Sequence, residues 1–273
     1  AEGEEEILAA QRLRYHVFFF FFQAQASDSI RSAGRDFDEY DAVSDHLVVI
    51  DETRSGADRI VGTYRLLRQE IAQRHGAFYT GSEYDIAPLL NCNRKLLELG
   101  RSCVLAAYRT RPVIQLLWQG ISDYLKTHDI GLMFGCASIH ETDIKRISKW
   151  LAYLHHYHLA PENLRVRALS QYYIGMDLHR KDTLPQREIF SELPPLIKGY
   201  LRLGAYIGDG AVIDPVFRTT DVCIILPTEN VTERYRSHYS RKNSIEAARA
   251  GETSASDISG KRIAQGGSIG VPA

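Results

Sequence analysis

Residues 97–118 read LELGRSCVLAAYRTRPVIQLLW, and the fold follows from how this stretch divides. Residues 97–107 form a largely apolar run of strand length, charged only at Glu98 and Arg101. The run ends in a basic elbow, Tyr108-Arg109-Thr110-Arg111-Pro112. From there Val113, Ile114, Leu116, Leu117, Ile121, Tyr124 and Leu125 take helical spacing, which predicts a helix over residues 113–128. Pro112 suits the first turn, where its missing N–H has no partner to lose. A strand that runs through a basic turn into a helix N-terminus gathers unpaired N–H groups and positive charge, and is an anion site by construction.

Working outward, residues 45–51 (DHLVVID) and 60–66 (IVGTYRL) read as neighbouring strands joined by a Gly- and charge-bearing turn at 52–59. Residues 131–137 (GLMFGCA) and 165–169 are further strands, and 208–214 reads as a turn leading into a closing strand, 221–226 (DVCIIL). Residues 4–17 open with acids that favour the helix dipole and place Ile7, Leu8, Gln11 and Tyr15 on one face. A helix over 141–158 aligns Ile144, Ile147, Trp150, Leu151 and Leu154. Residues 194–204 form a short helix with a glycine stop, and 231–239 a last one. Residues 23–36, 78–90 and 177–192 read as connections. Interleaved strands and helices with several short turns predict an α/β (α+β) fold, a twisted mixed central sheet with helices on both faces. One domain spans residues 1–239, with a C-terminal extension from about 191. From Ser240 the chain turns to Ser, Ala, Gly and charge, so 240–273 is expected to be a disordered tail.

With 33 Lys and Arg against 34 Asp and Glu, the formal charge of −1 gives no global field for nucleic acid. Four scattered cysteines without a C-x-x-C pair predict reduced thiols. No apolar run reaches the roughly 18 residues of a spanning helix and no signal segment is visible, so a cytoplasmic location is expected. Phe18–Phe22 fits neither the helical nor the strand period.

Several residues carry chemistry. The acidic side chains of Asp38-Glu39-Tyr40-Asp41 could hold a cationic group or form a solvated loop. Arg65, inside an apolar strand, needs a carboxylate or an anionic ligand. Glu98 and Arg101 point to opposite faces of a regular strand, and share a site only if a bulge intervenes, which Gly100 permits. A surface ion pair is the alternative. Arg109 and Arg111 mark the elbow. His155, His156 and His158 suggest zinc, but no matching ligand group lies nearby, so no metal is expected. No Gly-x-Ser-x-Gly elbow, P-loop or dinucleotide fingerprint is present.

The blocks FDEYDAVSDHLVV, IVGTYRLLR, YDIAP, LELGRSCVLAAYRTRPVIQLLWQGI, LMFGCAS, LHHYHLAP, LPPLIKGYLRLGAYIGDGAVID and TTDVCIILP occur in one order over residues 13–239. Together they resemble the bacterial ornithine N-acyltransferases of ornithine-lipid synthesis, GNAT-like enzymes related to acyl-homoserine-lactone synthases. The resemblance implies a GNAT-like domain that transfers a 3-hydroxyacyl chain from acyl carrier protein to the α-amino group of L-ornithine, giving lyso-ornithine lipid. The sparser pattern of the lactone synthases falls on Arg14, Asp38, Asp41, Arg65, Glu98 and Arg101. Relatives carry acidic residues about where Phe20 and Phe21 stand. The phenylalanine run is then an aromatic wall around an acyl tunnel, a membrane-touching patch, or a departure from the natural residues.

On this reading Glu98 is the base, directly or through water, and works with Arg101. Backbone N–H groups near Cys103, Val104 and Leu105 meet the oxyanion. Arg65 or Arg101 grips the α-carboxylate of ornithine, Asp38 or Asp41 its δ-ammonium, and Arg14 belongs to the same substrate set. The elbow takes the phosphate of the phosphopantetheine arm. Arg109 and Arg111, with Lys145, Arg146 and Lys149, face the acidic carrier protein. No cofactor is tightly bound, the acyl-phosphopantetheine thioester being a co-substrate, and peripheral membrane contact follows from an amphiphilic product. A lactone-type signal synthase and a non-catalytic acyl-carrier or lipid-binding module are the alternatives.

Overall fold

The computed structural model describes residues 1–231. The expected tail, 240–273, and all but the first residue of the helix expected over 231–239 lie outside the described residues. The helices are α1 (Glu4–Tyr15), α2 (Asp28–Ala33), α3 (Gln69–His75), α4 (Ala87–Leu90), α5 (Arg111–His128), α6 (Ile144–His158), α7 (Gln186–Glu192) and α8 (Pro195–Arg202). The strands are β1 (Asp45–Ile50), β2 (Ile60–Arg68), β3 (Tyr84–Asp85), β4 (Leu96–Val104), β5 (Leu132–Ile139), β6 (Arg167–Ala168), β7 (Tyr206–Asp214) and β8 (Thr219–Pro227).

The strands form one mixed sheet in the order β1-β2-β4-β5-β8-β7-β6-β3. β8 is buried throughout and β2 over all but its last residue, so the centre of the sheet is covered on both faces, as expected of a layered α/β fold. Helix α5 is the crossover that makes β4 and β5 parallel neighbours. Leu117, Ile121 and Leu125 form its buried stripe. Gly120 lets α5 press onto β1, since a Cβ there would stand 2.7 Å from Leu47 Cδ1.

Two irregularities in the central strands open the sheet. β4 and β5 pair only over Leu96–Glu98 with Leu132–Phe134, although they run on to Val104 and Ile139. Beyond that short ladder they part. At the parting Gly135 lies so close under β4 that a Cβ would fall 2.2 Å from the Leu99 carbonyl oxygen. The second irregularity lies between β2 and β4, where Thr63 pairs with Cys103 but Arg65 with Gly100. One extra residue is therefore bulged out of β4. The left-handed residue of the bulge is Arg101, with φ 49°, rather than Gly100.

Residues 208–214 differ from the expected turn: they are most of β7. Gly208 and Gly210 are there for close approach, because a Cβ would meet Val166 Cγ2 at 2.6 Å at the first and the Tyr173 ring at 2.5 Å at the second. The connector 177–192 contains α7, and the strand expected over 165–169 shrinks to β6. On α1 the buried residues are Ala9, Ala10, Gln11, Leu13 and Arg14, so of the expected face Gln11 is buried and Ile7, Leu8 and Tyr15 are not. The two alanines let the helix sit closely against Ile60 and Cys103.

Candidate active site

Where β4 and β5 separate, a cavity of about 450 Å³ passes between them. Its apolar lining includes Leu99, Ile114, Leu117, Trp118 and Leu196. Its polar lining includes Glu98, Arg101, Ser138, Asp214 and Asp221. The bulge in β4 brings Glu98 and Arg101 to this cavity together, which resolves the facing problem that their three-residue spacing posed.

Glu98 is 4% exposed, and three donors from one loop meet its carboxylate. Oε1 accepts from the Thr80 N–H at 2.6 Å and the Thr80 hydroxyl at 2.5 Å, and Oε2 accepts from the Tyr79 N–H at 2.9 Å. Burial raises its pKa above the usual carboxylate value, while the Thr80 and Tyr79 donors and Arg65 pull it back. Tyr79 and Thr80 also line the cavity, and nothing in the sequence around them marked them out.

Beside Glu98 lies a closed ring of three arginines and three aspartates. Arg14 bonds Asp36 at 2.7 Å and Asp41 at 2.7 Å. Asp41 also meets Arg65 at 3.3 Å, and Arg65 bonds Asp38 at 2.5 Å. Asp38 accepts from Arg101 at 2.9 Å, and Arg101 returns to Asp36 at 3.4 Å. The charges balance around the ring. Burial opposes the charge of Asp41, but Arg14 and Arg65 outweigh it and lower its pKa.

These pairings bear on three expectations about substrate binding. Asp38 and Asp41 were expected to hold a substrate ammonium, yet guanidinium groups already engage both carboxylates. Arg14 is wholly buried and does not line the cavity. Arg65 is tied to Asp38 and Asp41. Arg65 and Arg101 both line the cavity, and Arg101 has the most accessible side chain of the three arginines, 14% against 4% for Arg65, stacked between the rings of Tyr79 and Phe217 at 5.0 Å each.

On β4, the Leu105 N–H bonds the Val61 carbonyl at 2.9 Å. Donors alternate along a strand, so the N–H of Val104 points to the opposite edge, the side from which β5 has departed. Of Cys103, Val104 and Leu105, Val104 is therefore the backbone donor facing the cleft. Burial pushes the Cys103 thiol up to about 12, which makes it a poor nucleophile.

Across the cavity, Asp214, Asp221 and Glu83 bring carboxylate oxygens within 4.8 Å of one another, a spacing at which a cation could be held. Burial, then Asp221, raises Glu83 to about 7. Burial raises Asp221 to about 6, against the opposite pull of the nearby Thr219 and Ser138 hydroxyls. His140 also lines the cavity, with its pKa lowered by burial and by Arg109, and stacks on Phe22 at 3.8 Å. These acids and His140 were missed because they come from separate segments with no shared motif.

At the elbow, Arg109 donates to the Val104 carbonyl at 3.1 Å and lies over the rings of Phe21 and Phe22. Arg111 opens α5, and its side chain lies outside the described part of the structure. Pro112 has no N–H and that of Ile114 bonds the Thr110 carbonyl at 3.2 Å, leaving residues 111 and 113 as first-turn donors. Lys145, Arg146 and Lys149 are exposed on α6, with Arg146 paired to Glu141 and Asp143. The phenylalanines continue α1 as a π-helix, His16–Phe21. Phe18 and Phe22 line the cavity, while Phe20 and Phe21 are 74% and 52% exposed. His155, His156 and Asp177 also come within metal-ligand spacing, but His156 Nε2 is held by the His179 carbonyl at 2.8 Å and by Asp177 at 3.0 Å. Among the described residues no helix is long and apolar enough to cross a membrane.

Residues 13–119 match the family model of an acetyltransferase (GNAT) domain. An L-ornithine N(alpha)-acyltransferase of Rhodobacter capsulatus is 43% identical over 89% of this chain and 93% of its own. Enzymes of the same name from Rhizobium meliloti and Brucella abortus are 44% and 45% identical, each over 88% of this chain and over 82% and 86% of their own. Among solved structures, an N-acyl amino acid synthase from uncultured soil microbes aligns with TM-score 0.44 and 10% identity over 80% of this chain and 88% of its own. A CoA-dependent acyl-homoserine lactone synthase aligns with TM-score 0.42 and 12% identity over 84% and 80%.

Proposed function

The chain belongs to the L-ornithine N(alpha)-acyltransferase family, and from that premise we propose that it moves a 3-hydroxyacyl chain from the phosphopantetheine thioester of an acyl carrier protein to the α-amino group of L-ornithine, giving lyso-ornithine lipid. Membership makes it an acyltransferase. The observation that carries the rest is a largely apolar cleft between two parted parallel strands, with a buried carboxylate and a guanidinium in its wall.

In this reading the acyl chain lies along the apolar lining and the thioester carbonyl lies beside Val104. The neutral α-amine adds to the carbonyl carbon, forming the C–N bond while the carbonyl oxygen becomes an oxyanion that the Val104 N–H meets. The proton lost by the amine passes through a water to Glu98. Its raised pKa makes it a better proton acceptor than an ordinary carboxylate. Collapse breaks the C–S bond, and the departing thiolate takes that proton back. Burial keeps the Cys103 thiol protonated, with its pKa pushed up to about 12, so direct attack by the amine is favoured over an acyl-cysteine. Arg101 receives the α-carboxylate of ornithine, and Arg65 holds Asp38 so that Arg101 keeps its place.

Arg109 and Arg111, with the exposed Lys145, Arg146 and Lys149, form the basic surface for the acidic carrier, and the first turn of α5 takes the phosphate of its arm. Exposed Phe20, Phe21, Ile114 and Leu116, on elements that border the cavity, suit hand-over of an amphiphilic product to a membrane surface. The test incubates purified protein with 3-hydroxyacyl-carrier thioester and ornithine, lysine or S-adenosylmethionine, and reads amide product by mass. Product from ornithine supports the reading. Product from S-adenosylmethionine alone, or from no acceptor, overturns it.

A further inference from the structure

We propose that Asp214, Asp221 and Glu83 form the subsite for the side-chain ammonium of the acceptor, so that this cluster makes the enzyme select a diamino acid. The proposal rests on the reading that the acceptor is an amino acid.

Sheet register builds the subsite. Across the β7–β8 hairpin Asp214 pairs with Thr219 and Val212 with Asp221, so Asp214, Thr219 and Asp221 share one face. On the other side of β8, Asp221 pairs with Ser138 of β5, and Cys136 is two residues along on the same face. All five side chains line the cavity. Glu83 stands behind them, accepting from the Cys136 thiol at 3.2 Å.

The polar groups here are not satisfied. Among the described residues none of the three carboxylates is in an ion pair. Asp221 is 5% exposed, faces the cavity, and has no hydrogen-bond partner at Oδ1. The Thr219 hydroxyl, on a residue 1% exposed, lies near enough to Asp221 to favour its charged form but makes no bond of good hydrogen-bond geometry. Asp214 Oδ1 accepts from the Val216 and Phe217 N–H groups, at 2.7 and 2.9 Å, which leaves its other oxygen for a ligand. A buried acceptor without a donor is costly. Three carboxylates crowded together repel one another until a cation arrives.

An ammonium group supplies what is missing, three donors and one positive charge. Acceptors held at about 2.8 Å along tetrahedral directions stand about 4.6 Å apart, and the three carboxylate oxygens lie within 4.8 Å of one another. The cavity also contains Glu98, so one end of a short diamino acid can sit at the base while the other enters the cluster.

The experiment compares ornithine with norvaline, which has the same carbon chain without the side-chain amine, in wild type, Asp221→Asn and Asp214→Asn. The expected result is that ornithine KM rises at least tenfold in Asp221→Asn with kcat within about twofold. Norvaline kcat/KM stays unchanged, and ornithine ceases to raise the melting temperature. Asp214→Asn keeps the oxygen that caps the hairpin turn, and carries the same comparison if Asp221→Asn does not fold. A parallel fall for both acceptors overturns the proposal. So does an ornithine preference that chelation removes and magnesium or calcium restores, since the cluster would then hold a metal ion. Wild type that acylates ornithine and norvaline equally well defeats this proposal alone, whereas wild type that acylates neither defeats the acyltransfer reading on which it rests.

Discussion

Thr80 donates twice to one oxygen of Glu98, through its backbone N–H at 2.6 Å and its hydroxyl at 2.5 Å. The carboxylate is thereby fixed in direction in the wall of the cleft, with the second lone pair of Oε2 left for a water. Burial and hydrogen bonding act on it in opposite senses, and burial prevails.

Glu98→Gln removes the proton acceptor while keeping the shape of the side chain. Turnover should fall about 10²–10⁴-fold, the usual range for a general base, with little change in carrier-protein affinity. Steady-state kinetics together with a carrier titration check this. A near wild-type rate at neutral pH would remove Glu98 from the chemistry.

Thr80→Val deletes the hydroxyl donor but leaves the N–H. That hydrogen bond favours the charged form of Glu98, so its loss should raise the pKa of the base. The acid limb of the kcat/KM profile should move to higher pH. An unmoved limb accompanied by a uniform drop in rate would mean that Thr80 only shapes the loop.

Arg14→Met opens the ring of guanidinium and carboxylate groups at its most buried member, leaving Asp36 and Asp41 short of a partner. Removing one partner of a buried pair costs about 3–5 kcal/mol, and chemical denaturation should show a loss of that order. A loss below about 1 kcal/mol would mean that the remaining arginines re-pair without strain.

The Glu83 carboxyl has its folded pKa raised to about 7 from 4.5, so the folded state holds the extra proton between those values. Its contribution to stability is therefore greatest below pH 4.5 and declines as pH rises toward 7. Glu83→Gln cannot ionise. The stability of wild type relative to this variant should fall across that window, and bound ornithine should reverse part of the fall. Melting temperatures of both proteins between about pH 4.5 and 7.5 settle it, a flat difference being the contrary result.

Arg109→Glu reverses a charge at the elbow. Carrier-protein binding should weaken, more at low salt than at high salt, because screening hides exposed charges. Equal affinity for the variant at low ionic strength would place the docking surface elsewhere.

Much of the fold was legible because the central elements obey simple periods. The strands at 45–50, 60–68 and 132–139 and the helix after Pro112 lie close to where apolar patterning puts them. β7 was not legible, since Gly208 and Gly210 read locally as a turn. Their reason is distant: the Val166 and Tyr173 side chains that need room beside the strand. The same division runs through the site. Glu98 and Arg101 could be paired in advance because Gly100 suggested a break in the strand, and the bulge is there, with Arg101 itself taking the unusual backbone angle. The aspartates near residue 40 drew a substrate role from their charge and from the resemblance. What the sequence could not reveal was that three arginines from α1, β2 and β4 converge on them. Asp214 and Asp221 meet Glu83 only once the hairpin closes against β5, which no local pattern announces.

The three-residue ladder between β4 and β5 makes the middle of this sheet a doorway as well as a wall. Every further rung zipped up between those strands would add hydrogen bonds and narrow the passage through which substrates meet. A sequence selected only for sturdiness would drift toward sealing that gap. The enzyme's tolerance to heat and its capacity to turn over are thus set against each other at one seam, and attempts to toughen it should begin well away from there.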